Sequence, residues 1–153
     1  MNEIIIFAAE YLIFFMLVIF LWQLWKIPRK GRLQFISFSV RAVIIAFILI
    51  KIANYVYYNP RPFVADGTQA LFYHSPDNGF PSEHATAGFL IGFTIFKYYK
   101  RVSYILLVLA GLVGLARVLA NVHHMEDIFA GALIAAIASY VAVRVTTRTD
   151  SRP

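Results

Sequence analysis

IIIFAAEYLIFFMLVIFLWQLW, residues 4–25, decides the fold. Only Glu10 and Gln23 interrupt this apolar run, and about 20 such residues span a membrane as a helix. Its front is Met1-Asn2-Glu3 rather than basic, and no small-residue cleavage site follows. The expectation is therefore a retained span and not a cleaved leader. Trp22 and Trp25 close the run where interfacial aromatics belong.

Working outward, Lys26-Ile27-Pro28-Arg29-Lys30-Gly31-Arg32 is a basic loop with a helix breaker. Further apolar stretches at 33–58, 81–99, 102–120 and 125–145 complete the pattern. The long connection from Asn59 to Glu83 carries Pro60, Pro62, Pro76 and Pro81; a connection of that length is typically functional or disordered. The chain predicts one all-α domain over 1–153, a polytopic membrane bundle of about five transmembrane helices (4–25, 33–58, 81–99, 102–120, 125–145).

Composition agrees. Of 153 residues, 60% are hydrophobic and 14% charged, and the mean hydropathy is +0.69, outside the range of ordinary soluble domains. The absence of cysteine excludes disulfides and thiolate metal sites. A net charge of +6 would point to nucleic acid in a soluble chain. Here the charge sits in three segments, residues 26–32, 97–101 and a tail with Arg144, Arg148 and Arg152, which reads as membrane topology and not as nucleic-acid binding. Basic loops stay inside, so the prediction is a multi-pass protein of the cell membrane with its N-terminus outside and its C-terminus cytoplasmic. Glu3, Glu10, Asp66, Asp77, Glu83, Glu126 and Asp127 then lie at or near the outer face, with Asp150 the exception.

Lys51, Arg61 and Arg117 break that charge rule, and ionisable residues at such positions are functional candidates. Three polar islands converge with them on the extracytoplasmic face. They are Lys51 and Asn54 with Asn59-Pro60-Arg61-Pro62-Phe63; Ser75 to His84, which includes Pro81-Ser82-Glu83-His84; and Arg117 to Asp127, which includes His123 and His124. On a helix His123 and Asp127, four apart, share a face. The carboxylate then holds one ring nitrogen and frees the other for attack. Arg61 and Arg117 suit bidentate binding of phosphate oxygens, and the helix start near Pro81 offers free backbone amides to an anion. A metal reading of His74, His84, His123 and His124 is disfavoured, because the neighbouring cations repel a metal and no His-Glu-x-x-His spacing is present.

The ordered set resembles the type-2 phosphatidic acid phosphatase superfamily. Its signature is a lysine, six residues and Arg-Pro; then Pro-Ser-Gly-His; then Ser-Arg, a histidine six after the arginine, and an aspartate four after that. The matches here are Arg61-Pro62, Pro81-Ser82-x-His84, and Arg117, His123 and Asp127. More narrowly, Asn59 to Phe63 and Ser75 to His84 are similar to the bacitracin-resistance type of undecaprenyl-diphosphate phosphatase. Three departures stand out: Asn54 at the lysine position with Lys51 one turn earlier, Glu83 for glycine, and Ala116 for serine.

The resemblance implies hydrolysis of a lipid diphosphate without cofactor or metal. His123 is then the nucleophile that becomes phosphohistidine, Asp127 orients it, and His84 is the general acid and base. Arg61, Arg117, Ser82, Lys51, Asn54 and Glu83 are the substrate-binding candidates. A phosphatidic acid or phosphatidylglycerophosphate phosphatase, and a non-catalytic head-group binder or transporter, are the competing readings.

Overall fold

The computed structural model describes residues 1–149; Asp150 and Arg152 of the basic tail lie outside them. The elements are α1 (Asn2–Glu10), α2 (Leu12–Lys26), α3 (Arg29–Val56), α4 (Pro62–Ala65), α5 (Glu83–Ile95), α6 (Lys100–Leu119) and α7 (Met125–Thr149). Three of them, α3, α6 and α7 (the last as far as Arg144), are long and apolar enough to cross a membrane, and the bent pair of α1 and α2 is a fourth if it forms one broken span rather than a re-entrant loop. The chain is thus an all-α, multi-span membrane bundle.

The boundaries differ from the sequence expectation in informative places. The run at 4–25 is two helices, bent by 42° at Tyr11. Arg117 Nη1 donates to the Ala9 carbonyl across this break at 3.3 Å. Insertion of a polar side chain into the helical ladder is a recognised cause of a kink. Helix α3 begins at Arg29 rather than residue 33, because Pro28 pre-sets the start and its carbonyl accepts from Gly31 and Arg32. The basic loop is therefore partly the first turn of α3.

The helix expected over 81–99 is only Glu83–Ile95, 13 residues. At about 1.5 Å per residue it is roughly 20 Å long, against about 30 Å of hydrocarbon. Ser82 caps its start, Oγ accepting from Ala85 N–H at 3.4 Å, and tight turns through Phe96 to Tyr99 end it.

Short as it is, α5 sits at the centre, packed on α6, α7, α3 and α2. Small residues let the helices close in, as membrane bundles require. At Gly131 of α7 an added Cβ would lie 2.8 Å from Thr86 Oγ1 and 3.0 Å from the Ser82 carbonyl, so the two helices touch backbone to backbone beside the polar islands. The main core joins Met16, Phe35, Ala42, Ala46, Leu90, Leu106, Ala110, Ala135 and Ala138. Outward faces stay apolar, with Phe14, Val18, Val40, Ile44, Val108, Phe129 and Leu133 exposed as a lipid-facing surface.

The two ends of the bundle differ. Phe35 packs edge-on against Tyr98, ring centroids 5.1 Å apart, which brings the basic segments around residues 29 and 97 to one end. Bonds from Leu71 N–H to the Ala120 carbonyl and from Ser82 N–H to the Asp127 carbonyl gather the polar islands at the other.

Candidate active site

The site is built on a chain reversal between α6 and α7. Asn121, with φ of 63°, takes the left-handed conformation that asparagine tolerates, and its side-chain amide donates to Thr68 Oγ1 at 2.7 Å and the Gln69 carbonyl at 3.3 Å. The reversal delivers His123 to the start of α7. There Asp127 Oδ2 accepts from the His124 N–H at 2.8 Å, the reach-back of an acid in a helix's first turn.

That capping geometry also aims the carboxylate at His123. His123 Nδ1 lies 3.2 Å from Asp127 Oδ2, and the Asn59 amide donates to Oδ1 at 3.0 Å. Asp127 is fully buried and His123 is 3% exposed. On the other side of the ring, Arg61 Nη1 sits 3.2 Å from His123 Nε2. A guanidinium only donates, so Nε2 carries the lone pair and Nδ1 the proton that goes to Asp127. Both neighbours thus impose the tautomer that a nucleophilic Nε2 needs. Burial pushes the His123 pKa below its ordinary value, with Arg117 and Arg61 acting in the same direction, while the hydrogen bond to Asp127 opposes them. The ring is held neutral.

Arg61 is fixed by three acceptors: Asp77 Oδ1 on Nε at 2.8 Å, the Val122 carbonyl on Nη1 at 2.9 Å, and the His123 ring. Asn78 ties down the loop around it. Its Oδ1 accepts from Asn59 N–H and Phe80 N–H, both at 3.0 Å, and its amide donates to the carbonyls of Asn54 and Tyr57. At Gly79 an added Cβ would lie 3.3 Å from Arg61 Cγ and from Asp127 Oδ2, so the backbone passes directly over the pair. Arg117, 1% exposed, sends Nη2 to His74 Nε2 at 2.9 Å and covers the Phe72 ring at 5.8 Å.

These groups surround a cavity of about 400 Å³ lined by Lys51, Asn54, Arg61, His74, Asp77, Asn78, Pro81, Glu83, His84, Arg117 and His123. A smaller one of about 240 Å³ adjoins it, bordered by Glu10, Phe72, Tyr73 and Ser75 and sharing His74, His84 and Arg117. The structure therefore brings eight of the nine sequence candidates to one place: seven on the cavity wall and Asp127 directly behind His123. Ser82 is the ninth. It is fully buried, caps α5 with its hydroxyl, and is not on the wall.

Lys51 and Asn54 both reach the cavity. Lys51 Nζ rests 5.3 Å from the Phe47 ring centroid, while the Asn54 amide is spent on the Phe80 carbonyl at 3.1 Å. His124 points away, Nε2 3.1 Å from the Pro60 carbonyl. Among the described residues no group of three or more His, Cys, Asp or Glu is placed to hold a metal ion. Asn59, Asn78 and His74 hold the site together, yet the sequence marked Asn59 only as part of a motif and His74 only as one of four histidines.

Comparison with known proteins agrees with this geometry. The family model of the PAP2 superfamily matches residues 38–150. A curated relative, the "Bacitracin transport permease protein BcrC" of Bacillus licheniformis, is 35% identical over 140 residues, 91% of this chain and 68% of that protein. The "Undecaprenyl-diphosphatase BcrC" of Bacillus subtilis (strain 168) is 24% identical over 144 residues, 94% of this chain and 74% of that protein. Among solved structures, the crystal structure of Aquifex aeolicus LpxE superposes with a TM-score of 0.69 at 26% identity, covering 94% of this chain and 83% of that one. The chain belongs to the PAP2, or type-2 phosphatidic acid phosphatase, superfamily and is related to its BcrC-type members.

Proposed function

We propose that this PAP2-superfamily lipid phosphatase hydrolyses a polyprenyl diphosphate, undecaprenyl diphosphate foremost, to the monophosphate through a phosphohistidine on His123. The observation that carries the chemistry is the Asp127–His123–Arg61 line, with Nδ1 anchored at 3.2 Å and Nε2 facing an arginine at the wall of a cationic cavity. The relationship to BcrC-type proteins supports the choice of lipid.

In this mechanism His123 Nε2 attacks the terminal phosphorus, and the bond to the bridging oxygen breaks. Asp127 stabilises the imidazolium that forms. Arg61 and Arg117 hold the equatorial oxygens as charge develops. Among the described residues, Arg117 Nε is a buried donor with no partner, which suits it to an oxyanion. Burial, then Arg117, His123, His74 and Arg61, lower the pKa of His84, in the first turn of α5, to about 4. The anionic head group offsets those cations, so His84 takes up its proton together with the substrate and gives it to the departing polyprenyl phosphate. It then takes a proton from the water that cleaves the N–P bond and releases inorganic phosphate.

Phosphate release from a panel of lipid phosphates and diphosphates in detergent, with strong chelator present, tests the assignment. Fixed cations do the work of a metal here, so activity is expected to persist in chelator and to be blocked by vanadate. Loss on chelation with recovery on adding a divalent ion would overturn the mechanism. Preference for phosphatidic acid would overturn the substrate.

We further propose that the site faces outward, with the N-terminus outside and the C-terminus cytoplasmic, because Lys26, Arg29, Lys30, Arg32, Lys97, Lys100 and Arg101 occupy the opposite end. Single cysteines at the exposed positions Asp66 and Lys30 report on this. Gly67 is avoided because its φ of 63° would strain a side chain. An impermeant thiol reagent on intact cells should label the Asp66 variant and spare the Lys30 variant; the reverse pattern would place the site in the cytoplasm.

Lys51→Ala is expected to lower turnover by roughly 10-fold or more, since losing an oxyanion donor typically costs about 10²-fold and Lys51 approaches from the cavity rim. A change within about twofold would instead mean that Lys51 only reaches to the interface along Phe47.

A further inference from the structure

Arg117 and Arg61 are oriented by different means. Arg61 is paired with a carboxylate, Asp77, which is itself 61% exposed. Arg117 has no carboxylate within salt-bridge distance among the described residues, although it is almost fully buried; Glu10 and Glu83 act on it only at longer range, from the walls of the two cavities. Its acceptors are the Ala9 carbonyl at 3.3 Å, at the break between α1 and α2, and His74 Nε2 at 2.9 Å. Phe72 supports the face of the guanidinium from the same loop that carries His74. The His74 ring stands edge-on to His123 with centroids 6.2 Å apart, so it borders both the arginine and the His123 ring.

We infer that His74 is a positioning residue: a neutral imidazole that fixes the Arg117 guanidinium against the transferring phosphoryl group without neutralising it. The inference rests on the reading of the cavity as a phosphoryl site. Its physical basis is the difference between the two possible acceptors. A carboxylate in this place would orient the arginine equally well, but it would cancel the arginine's charge and repel a phosphate dianion. A carbonyl or a neutral imidazole directs the donors and leaves the full charge for the substrate.

The donor logic requires Nε2 to be the unprotonated nitrogen. The surroundings keep it so: burial, then Arg61, Arg117 and His123, lower the His74 pKa to about 4, opposed only by the Ser75 backbone. His84 lines the same two cavities as this ring. A neutral His74 in the fold against an ordinary histidine in the unfolded chain means that the unfolded state binds more protons between pH 6.5 and about 4. Its contribution to stability is therefore complete above the ordinary value and declines as pH falls through that window.

The test compares His74→Ala, His74→Gln and His74→Glu in the full chain in detergent. His74→Ala should lower kcat by roughly 10-fold or more with KM little changed, and should raise the inhibition constant for vanadate in parallel, because the arginine acts on the transition state. His74→Gln, whose carbonyl oxygen is a neutral acceptor of similar reach, should recover most of both. His74→Glu should recover neither, and this outcome separates a neutral acceptor from a merely space-filling one. In an Arg117→Ala background His74→Ala should add little further loss.

Vanadate binding read by its protection against thermal unfolding needs no turnover. If the wild-type protein binds vanadate but cleaves no lipid phosphate, the proposed activity fails while the role of His74 still stands or falls on the variants. Vanadate affinity unchanged in His74→Ala, equal behaviour of the Gln and Glu variants, or fully additive losses with Arg117→Ala would each overturn the inference. If His74→Ala does not fold, the contrast between Gln and Glu decides alone.

Discussion

His123→Ala is expected to abolish the covalent intermediate and to reduce turnover by on the order of 10⁴-fold or more, as loss of a nucleophile does elsewhere. Every local contact at His123 serves one ring nitrogen. Asp127 accepts a hydrogen bond from Nδ1–H at 3.2 Å, Asn59 steadies Asp127 at 3.0 Å, and Arg61 approaches Nε2 at 3.2 Å. Alanine leaves that apparatus in place with nothing to attack phosphorus. Rapid acid quench after brief exposure to radiolabelled diphosphate should trap phosphohistidine in the wild type and none in the variant. The absence of label in the wild type under single-turnover conditions would favour a binder over an enzyme.

His124→Ala supplies the register control. Its side chain bonds the Pro60 carbonyl at 3.1 Å, so removing it loosens the turn that carries Arg61 and slows the reaction without touching the intermediate. A phosphoenzyme that survives His123→Ala and vanishes in His124→Ala would show that the wrong histidine has been assigned.

Much of this was legible in the sequence because the relevant signals are local. Apolar runs reveal spans, and the spacing of His123 and Asp127 pointed to a pair that does meet, although His123 precedes α7 and the contact comes from the capping carboxylate rather than from a shared helix face. Pro81-Ser82 correctly marked the start of α5. What stayed hidden depends on path rather than pattern. The break at Tyr11 lies inside an apolar stretch where Glu10 is the one nearby polar residue, and an arginine more than 100 positions away donates to the Ala9 carbonyl across it. His74 sits in a connection with no periodicity, and the pinning of Leu71 to Ala120 and of Thr68 to Asn121 helps carry it to Arg117. Spacing also could not rank Lys51 against Asn54, since both reach the cavity from one face of α3; the side-chain partners separate them. Ser82 stands apart from the other motif positions: its hydroxyl caps the helix that presents His84.

His84→Ala is expected to cost roughly 10² to 10⁴-fold for a substrate whose leaving group needs a proton, the range for a general acid. The size of the loss should depend on that leaving group. Phosphatidic acid departs as an alkoxide and needs the proton most. A polyprenyl diphosphate departs as a monophosphate, a fair leaving group on its own, and a nitrophenyl phosphate needs almost none. The order of impairment should follow that series while phosphoenzyme still forms with the nitrophenyl substrate. The second step separates the roles further: His84 must also take a proton from water, so with a good leaving group the variant should accumulate phosphohistidine instead of turning over. Geometry supports this division, because His84 borders both cavities beside Arg117 and faces the chamber from α5, whereas His123 enters from the α6–α7 reversal on the other side. Equal losses across all three leaving groups, with no accumulated intermediate, would mean that His84 acts as a neutral hydrogen-bond donor to the phosphoryl group and that the proton comes from elsewhere.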